Sequence, residues 1–271
     1  MRSTIGWAAL SALLGAFPLA AQADVDWGLN HELNDAFVFA LGATYLRTSG
    51  QAQLNSTTSG VGTLIDLQDT LGLSGEATGP YADFRWRMSE RWRLEASYVW
   101  ISESGSKSIN QDISWGDVVY PVNTALSSKF NFSDFRTSVG YSFYKTSDKE
   151  LGVGLGLHVL SYQLSLSSLN LGTEAGNVLA PLPVLSAYGG FALNEHWAVT
   201  ARLDWLSLTY QQYQGGITSM AFDVLYQPFQ HVGLGLGWRS LNVNFQATSG
   251  RFVGKLEQNL SGPQLSLIVS F

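Results

Sequence analysis

The chain of 271 residues contains no cysteine, so neither a disulfide framework nor a thiolate metal site is available to it. Charge is scarce: 13% of residues are Asp, Glu, Lys or Arg, about half the usual share of a soluble domain. Bases are the minority of that small set, 15 Lys plus Arg against 21 Asp plus Glu. They form no stripe of the kind that phosphate binding needs, which argues against a nucleic-acid partner. After Ala23 no run of eighteen apolar residues occurs, so no helical membrane span is expected. Phosphate loops, nucleophile elbows and nucleotide fingerprints are missing. None of the four histidines has a spaced partner of metal-site type. No cofactor and no metal are implied.

Aromatic residues, by contrast, make up 13% of the chain. A surface so rich in rings and so poor in charge would be badly solvated in water, whereas a lipid-facing wall of alternating strands accounts for both features. The opening stretch MRSTIGWAALSALLGAFPLAAQA, residues 1–23, has the length, the Pro18 break and the Ala21/Ala23 spacing of a secretory signal peptide with its cleavage site. The mature domain would then run over 24–271.

Along that domain the hydrophobic period is two. In PYADFRWR, Pro80, Ala82, Phe84 and Trp86 share one face, while Tyr81, Asp83, Arg85 and Arg87 share the other. After the turn Met88 to Glu90, RWRLEASYVW sets Trp92, Leu94, Ala96, Tyr98 and Trp100 against Arg91, Arg93, Glu95 and Ser97. Eight further segments follow the rule, beginning near Ala36, Phe130, Leu151, Pro183, Trp197, Thr218, Val232 and Phe252. Short connectors (Met88 to Glu90, Thr146 to Lys149, Asn194 to His196, Gln227 to His231) alternate with longer polar or Gly-rich ones. The longer ones lie near Ser49 to Thr78, Lys107 to Asn123, Ser167 to Ala180, Gln211 to Gly216 and Ala247 to Arg251. An all-β fold follows: a closed antiparallel transmembrane β-barrel, most simply of ten strands, with eight or twelve as the alternatives. Closure is obligatory, because an open edge in hydrocarbon leaves backbone donors and acceptors unpaired at several kcal/mol each.

The last strand, LSLIVSF, places Leu265, Leu267, Val269 and Phe271 on one face and ends on a ring. It resembles the terminal strand of the outer-membrane β-barrel proteins of Gram-negative bacteria, where such a strand is read as a signal by the barrel assembly machinery. The stretches IDLQDTLGL (65–73), ERWRLEASY (90–98) and ISWGDVVYPV (113–122) are similar to those of proteobacterial outer-membrane proteins to which no activity attaches. The resemblance implies export to the outer membrane, with its lipid and lipopolysaccharide as partners and a surface ligand that stays unidentified.

The inward faces should carry Asp83, Arg85, Arg87, Arg93, Glu95, Asp134, Arg136, His158, Arg202, Asp204, Asp223 and Arg239. Acids and bases nearly balance, as expected of a network that fills a narrow lumen with mutually neutralised ions. The glycines at 152, 154, 156, 233, 235 and 237 would leave room for facing Arg and Tyr side chains. Barrel hydrolases suggest a catalytic use for His158. However, Ser161 lies three residues on and on the opposite face of a strand, so the two cannot form a nucleophile and base. Trp92, Trp100, Trp115, Tyr144, Trp197, Trp205, Tyr226 and Trp238 read as interfacial belts, with carbohydrate stacking as a minor alternative for Trp115. Asp66, Asp69, Asp112 and Asp117 read as solvated loop charges. The functional expectation is a non-enzymatic barrel with a structural or surface-interaction role through its first two outer loops. The alternatives are a narrow pore for ions or small solutes, and a rim-located lipid A or peptide hydrolase.

Overall fold

A computed structural model describes residues 30–210, 213–247 and 253–271. The signal peptide assigned to residues 1–23 lies outside the described residues. In chain order the elements are α1 (His31–Asn34), β1 (Phe37–Leu54), β2 (Ile65–Asp66), β3 (Glu76–Arg87), β4 (Trp92–Ser108), β5 (Ile113–Trp115), β6 (Val118–Tyr120) and β7 (Ala125–Lys145). They continue with β8 (Lys149–Ser168), β9 (Gly172–Ala192), β10 (Trp197–Tyr210), β11 (Tyr213–Tyr226), β12 (Val232–Ala247) and β13 (Gly254–Ser270).

Ten of these strands, all but β2, β5 and β6, form one antiparallel meander that β13 closes onto β1. The closing register runs from Val38↔Ser270 to Leu54↔Gly254. At the seam's lower end Phe37 and Phe271 exchange two backbone hydrogen bonds of 2.9 Å. Leu265, Leu267 and Phe271 are exposed on the outer wall while Gln264, Ser266 and Ser270 are buried within, so the last strand presents the face read from its sequence. The short turns fall where the sequence places them, at 88–91, 146–148, 193–196 and 227–231.

The long connectors are partly corrected. Among the described residues two outer loops are long, 55–75 (loop 1, containing β2) and 109–124 (loop 2, containing the β5–β6 hairpin). The stretch from Ser167 to Ala180, expected as a loop, is instead a tight turn at 169–171 followed by the outer half of β9. Gln214 to Gly216 likewise belong to β11. The stretch from Ala247 to Arg251 lies mostly outside the described residues. The cause is a change of solvent along each strand. A strand of 21 residues such as β7 is about 70 Å long at ~3.3 Å per residue. Tilted by roughly 40°, it rises about 50 Å, twice the ~25 Å height of an apolar bilayer band. The outer half therefore stands in water, where serine and asparagine face outward and the sequence looks like loop.

β7 shows the consequence. Its lower half turns Phe135, Val139, Tyr141 and Phe143 outward and Asp134, Arg136, Ser138 and Ser142 inward. Its upper half turns Ser127 and Lys129 outward and buries Leu126, Phe130 and Phe132. The expectation that apolar residues face outward along whole strands fails above this point. Inside the outer half, Phe130, Phe132, Leu160, Tyr162, Leu164, Val184, Ile217, Leu241 and Val243 form an apolar core. Loops 1 and 2 add Ile65, Leu67, Leu71, Ile113, Trp115 and Tyr120, each at most 2% exposed.

Candidate functional site: the barrel interior

The lower lumen is built from the inward positions of β3, β4, β7, β8, β10, β11 and β12. All twelve ionisable residues expected inside face inward there. Arg136, 1% exposed, is the hub. Its Nε and Nη2 donate to the two oxygens of Asp204 at 2.7 and 3.0 Å, and its Nη1 donates to Glu95 at 3.0 Å. Arg93 pairs with Glu95 at 2.7 Å, and its Cζ lies over the Tyr188 ring, 3.2 Å from the centroid. Arg202 stands 3.5 Å from Asp204 and 3.6 Å from Asp83. Asp223 and Arg239 are linked through Gln264, which accepts from Arg239 Nε at 3.1 Å and donates to Asp223.

His158 lies between two carboxylates, Nδ1 at 3.0 Å from Asp134 and Nε2 at 3.4 Å from Asp204. The ring is thus held by a carboxylate on each side. Ser161 is turned to the other face of β8, as its spacing requires. His158 is 1% exposed and sits beneath the apolar core, away from the outer rim.

The sequence reading missed Glu150, which is also 1% exposed. It accepts from Arg87 at 3.0 and 2.8 Å and from Ser142, with Arg93 a further 3.5 Å away. Glu150 shares parity with Gly152 and His158, so the signal was present, but its place beside a turn disguised it. Gly152 makes room for Tyr188, since a Cβ there would come 2.2 Å from the ring's Cζ.

The periplasmic end is stopped by α1, the part of the segment before the first strand that is described. Asn30 caps the helix by accepting from Leu33 N. Leu33 is 1% exposed inside the barrel mouth. Glu32 meets Arg85 at 3.0 Å, Arg87 donates to Leu33 O at 2.9 Å, and Lys145 donates to Asn34 at 2.8 Å. Burial pushes the Glu32 carboxyl up to about 7 against the opposing pull of Arg85. Above the helix remains a cavity of about 80 Å³ bordered by Glu32, Asp83, Arg85, Arg93, Arg202 and Asp223. Glu32 Oε2, Arg85 Nε and Arg93 Nε are buried here without a protein partner, and the space admits several waters that would serve them.

The outer end is stopped by loops 1 and 2. Glu103 on β4, 5% exposed, anchors loop 1 by accepting from Gly75 N at 3.1 Å and Ser74 Oγ at 3.2 Å, and it also accepts from Thr48 Oγ1 on β1. Trp115, expected in an interfacial belt or at a stacking surface, is buried at 2% exposure among Leu54, Leu67 and Val178. The other belt residues hold: Trp92, Trp100, Tyr144, Trp197, Trp205 and Trp238 are exposed on the outer wall, and Tyr226 packs against Trp197 with ring centroids 4.5 Å apart and planes tilted by 32°. The loop aspartates cap backbone rather than gather. Asp66 accepts from Gln68 N and Asp69 N, Asp112 from Val122 N, and Asp117 from Ser56 and Thr57. The Thr57 and Ser56 hydroxyls hold Asp117 below the usual carboxylate range. Among the described residues no group of three His, Asp or Glu is placed to hold a metal.

Closure in ten strands, a band of outward aromatics and an ionic interior define an outer-membrane-type β-barrel fold. The outer-membrane protease OmpT of Escherichia coli superposes with a TM-score of 0.55 at 9% identity, covering 87% of this chain and 96% of that one. Ail of Yersinia pestis gives 0.36 at 8% identity over 87% and 99%, and OprG of Pseudomonas aeruginosa 0.36 at 11% over 88% and 97%. Neither a protein-family model nor a curated protein matches the sequence.

Proposed function

We propose that the protein is an integral outer-membrane barrel that acts as a scaffold for its outer cap, with a lumen that does not conduct and no hydrolytic step. The observation that carries this reading is the double stop. The ion-pair layer and α1 fill the lower lumen, and the apolar core with loops 1 and 2 fills the upper. The cap is the surface offered for interaction. Thr63 and Ser114 exchange backbone and hydroxyl hydrogen bonds of 2.8 and 2.9 Å that join the two loops, and Val61, Leu64, Val119 and Val122 stand exposed on them.

A hydrolase is disfavoured because His158 is enclosed between carboxylates with no hydroxyl nucleophile bonded to it. Lipid and lipopolysaccharide surround the wall, and Leu265, Leu267, Val269 and Phe271 serve as the assembly signal. Single-channel recording on the refolded full chain tests the reading: the expected trace is flat, and reproducible openings would replace it with the narrow-pore alternative.

A further inference from the structure

The β9–β10 seam stops part of the way up the wall. The two strands pair from Ala198↔Ala192 to Trp205↔Leu185 and no further. Yet β9 continues to Gly172, paired throughout with β8, and β10 continues to Tyr210, paired throughout with β11. Carrying the same register outward would set Ser207 opposite Pro183 and Thr209 opposite Pro181. Proline offers no N–H to a ladder. The β8–β9 ladder passes through both prolines unbroken, so the missing donors belong to the β10 side. The wall parts where the prolines begin.

A second seam is interrupted beside a proline, but it is filled. β3 and β4 pair only from Tyr81↔Val99 downward, below Pro80. There loop 1 enters, tied by Glu103, and a Cβ on Gly105 would strike the Gly72 carbonyl oxygen at 2.4 Å. Among the described residues no loop backbone bonds to β9 between Gly172 and Val184. Only side chains stand behind that gap: Val178, Leu182 and Leu206, packed against the apolar outer core. Just inside, Trp115 Nε1 and Tyr162 OH are buried without a hydrogen-bond partner, and both residues border a cavity of about 20 Å³ with Val178 and Leu164. Outside, Leu179, Leu185 and Trp205 are 70, 57 and 50% exposed, an apolar rim at the outer aromatic belt.

We propose that this gap admits one acyl chain from the outer leaflet of the bilayer into the apolar outer chamber. The wall opens at the outer aromatic belt, where acyl chains meet their headgroups, the space behind is apolar, and the ionic layer below halts the chain. The cavity is small, so entry displaces Leu67 and Trp115. Both belong to inserted loops rather than to the wall, and Gly116 N holds loop 2 to Leu54 O at 3.2 Å. The two unpartnered donors suit an ester or hydroxyl oxygen on the chain. The proposal rests on the membrane placement of the barrel and not on whether its lumen conducts.

The test is electron paramagnetic resonance on the full chain refolded in phosphatidylcholine vesicles containing phosphatidylcholine spin-labelled near the end of one chain. The expected spectrum has, beside the annular lipid common to any barrel, a strongly immobilised component that saturates at one lipid per protein. In Pro181→Thr/Pro183→Thr, which restores both donors on the exposed face of β9, that component falls at least fivefold while heat-modified gel mobility confirms a folded barrel. Trp115→Phe, which removes one donor and keeps the ring, weakens it severalfold. Only annular lipid in the parent protein, or an equal immobilised fraction in the proline variant, overturns the proposal. Immobilised label in vesicles doped with spin-labelled free fatty acid, but not with the phospholipid, would also overturn it, by assigning the chamber to a soluble amphiphile. A barrel that conducts yet shows the seam-dependent component would refute the closed lumen and leave the lipid entry standing.

Discussion

Replacing Arg136 by Met separates the two ways in which a buried ion network can stabilise a barrel. The side chain is 1% exposed and makes three charged hydrogen bonds, two to Asp204 and one to Glu95. Breaking a buried pair by removing one partner costs about 3–5 kcal/mol, because the remaining charge is left without compensation. Here each carboxylate keeps a second cation. Asp204 retains His158 at 3.4 Å and Arg202 at 3.5 Å, and Glu95 retains Arg93 at 2.7 Å. The low end therefore applies, and the expected loss is ~3 kcal/mol.

Asp204→Asn should cost a similar amount by orphaning the Arg136 fork. The double variant removes both charges and should cost about as much as either single change, so the coupling is ~3 kcal/mol. Urea unfolding in phospholipid vesicles, followed by the fluorescence of the outward tryptophans, measures all three. A single variant within ~0.5 kcal/mol of the parent, or a double variant that is simply additive, would refute the reading of the lumen as a coupled network.

Three further outcomes are expected. Docking of α1 should weaken as pH rises from about 4.5 to about 7. The buried Glu32 holds its proton more tightly docked than free, so the docked form binds more protons in that window and loses stability as they leave. The protection factor of Leu33 N against hydrogen exchange, which divides out the base-catalysed intrinsic rate, should fall over that range in the parent and stay level in Glu32→Gln, whereas a level parent profile would count against the shift. Gly152→Ala should cost about 1–3 kcal/mol by overpacking against Tyr188, and an unchanged melting temperature would mean the ring moves freely. Trp115→Ala should cost about 3–5 kcal/mol within the cap and expose loop 1 to limited proteolysis, while a side chain at a surface stacking site would leave the digestion pattern unaltered.

Much of this architecture is written in the period-two pattern, because in the lower wall a single rule governs both faces. Pro80 to Arg87 and Trp92 to Trp100 could be assigned to faces residue by residue, whereas Arg91, read as inward, is exposed in the turn; His158 and Ser161 could be parted from their spacing alone. Four features were not legible. The upper halves of β7, β8 and β9 obey the opposite rule, so the Ser- and Gly-rich run after Ser167 read as loop. Trp115 lies in a polar stretch that gives no sign of folding inward. Glu150 hides behind a turn. Finally, Pro181 and Pro183 carry their meaning only through a register that sequence does not supply.

The reversal along each strand follows from which solvent lies outside. Between hydrocarbon and an apolar interior there is no hydrophobic gain, so in the lower wall an interior of Leu and Phe would add little. Paired ions, which can be satisfied only by one another, instead fix the register of the strands around them. Above the bilayer the outside is water, and burying Phe130, Phe132 and Leu164 stabilises the barrel as it would any globular protein, at about 25 cal/mol per Å². Both faces should then change at one height, as they do on β7 and β12. On β7 the interior passes from Asp134 to Phe132 as the exterior passes from Phe135 to Ser133. On β12 the step from Arg239 to Leu241 inside accompanies the step from Trp238 to Ser240 outside. The β9–β10 ladder ends at Trp205, in the same aromatic belt as Trp238, so the wall opens at the level where lipid gives way to water.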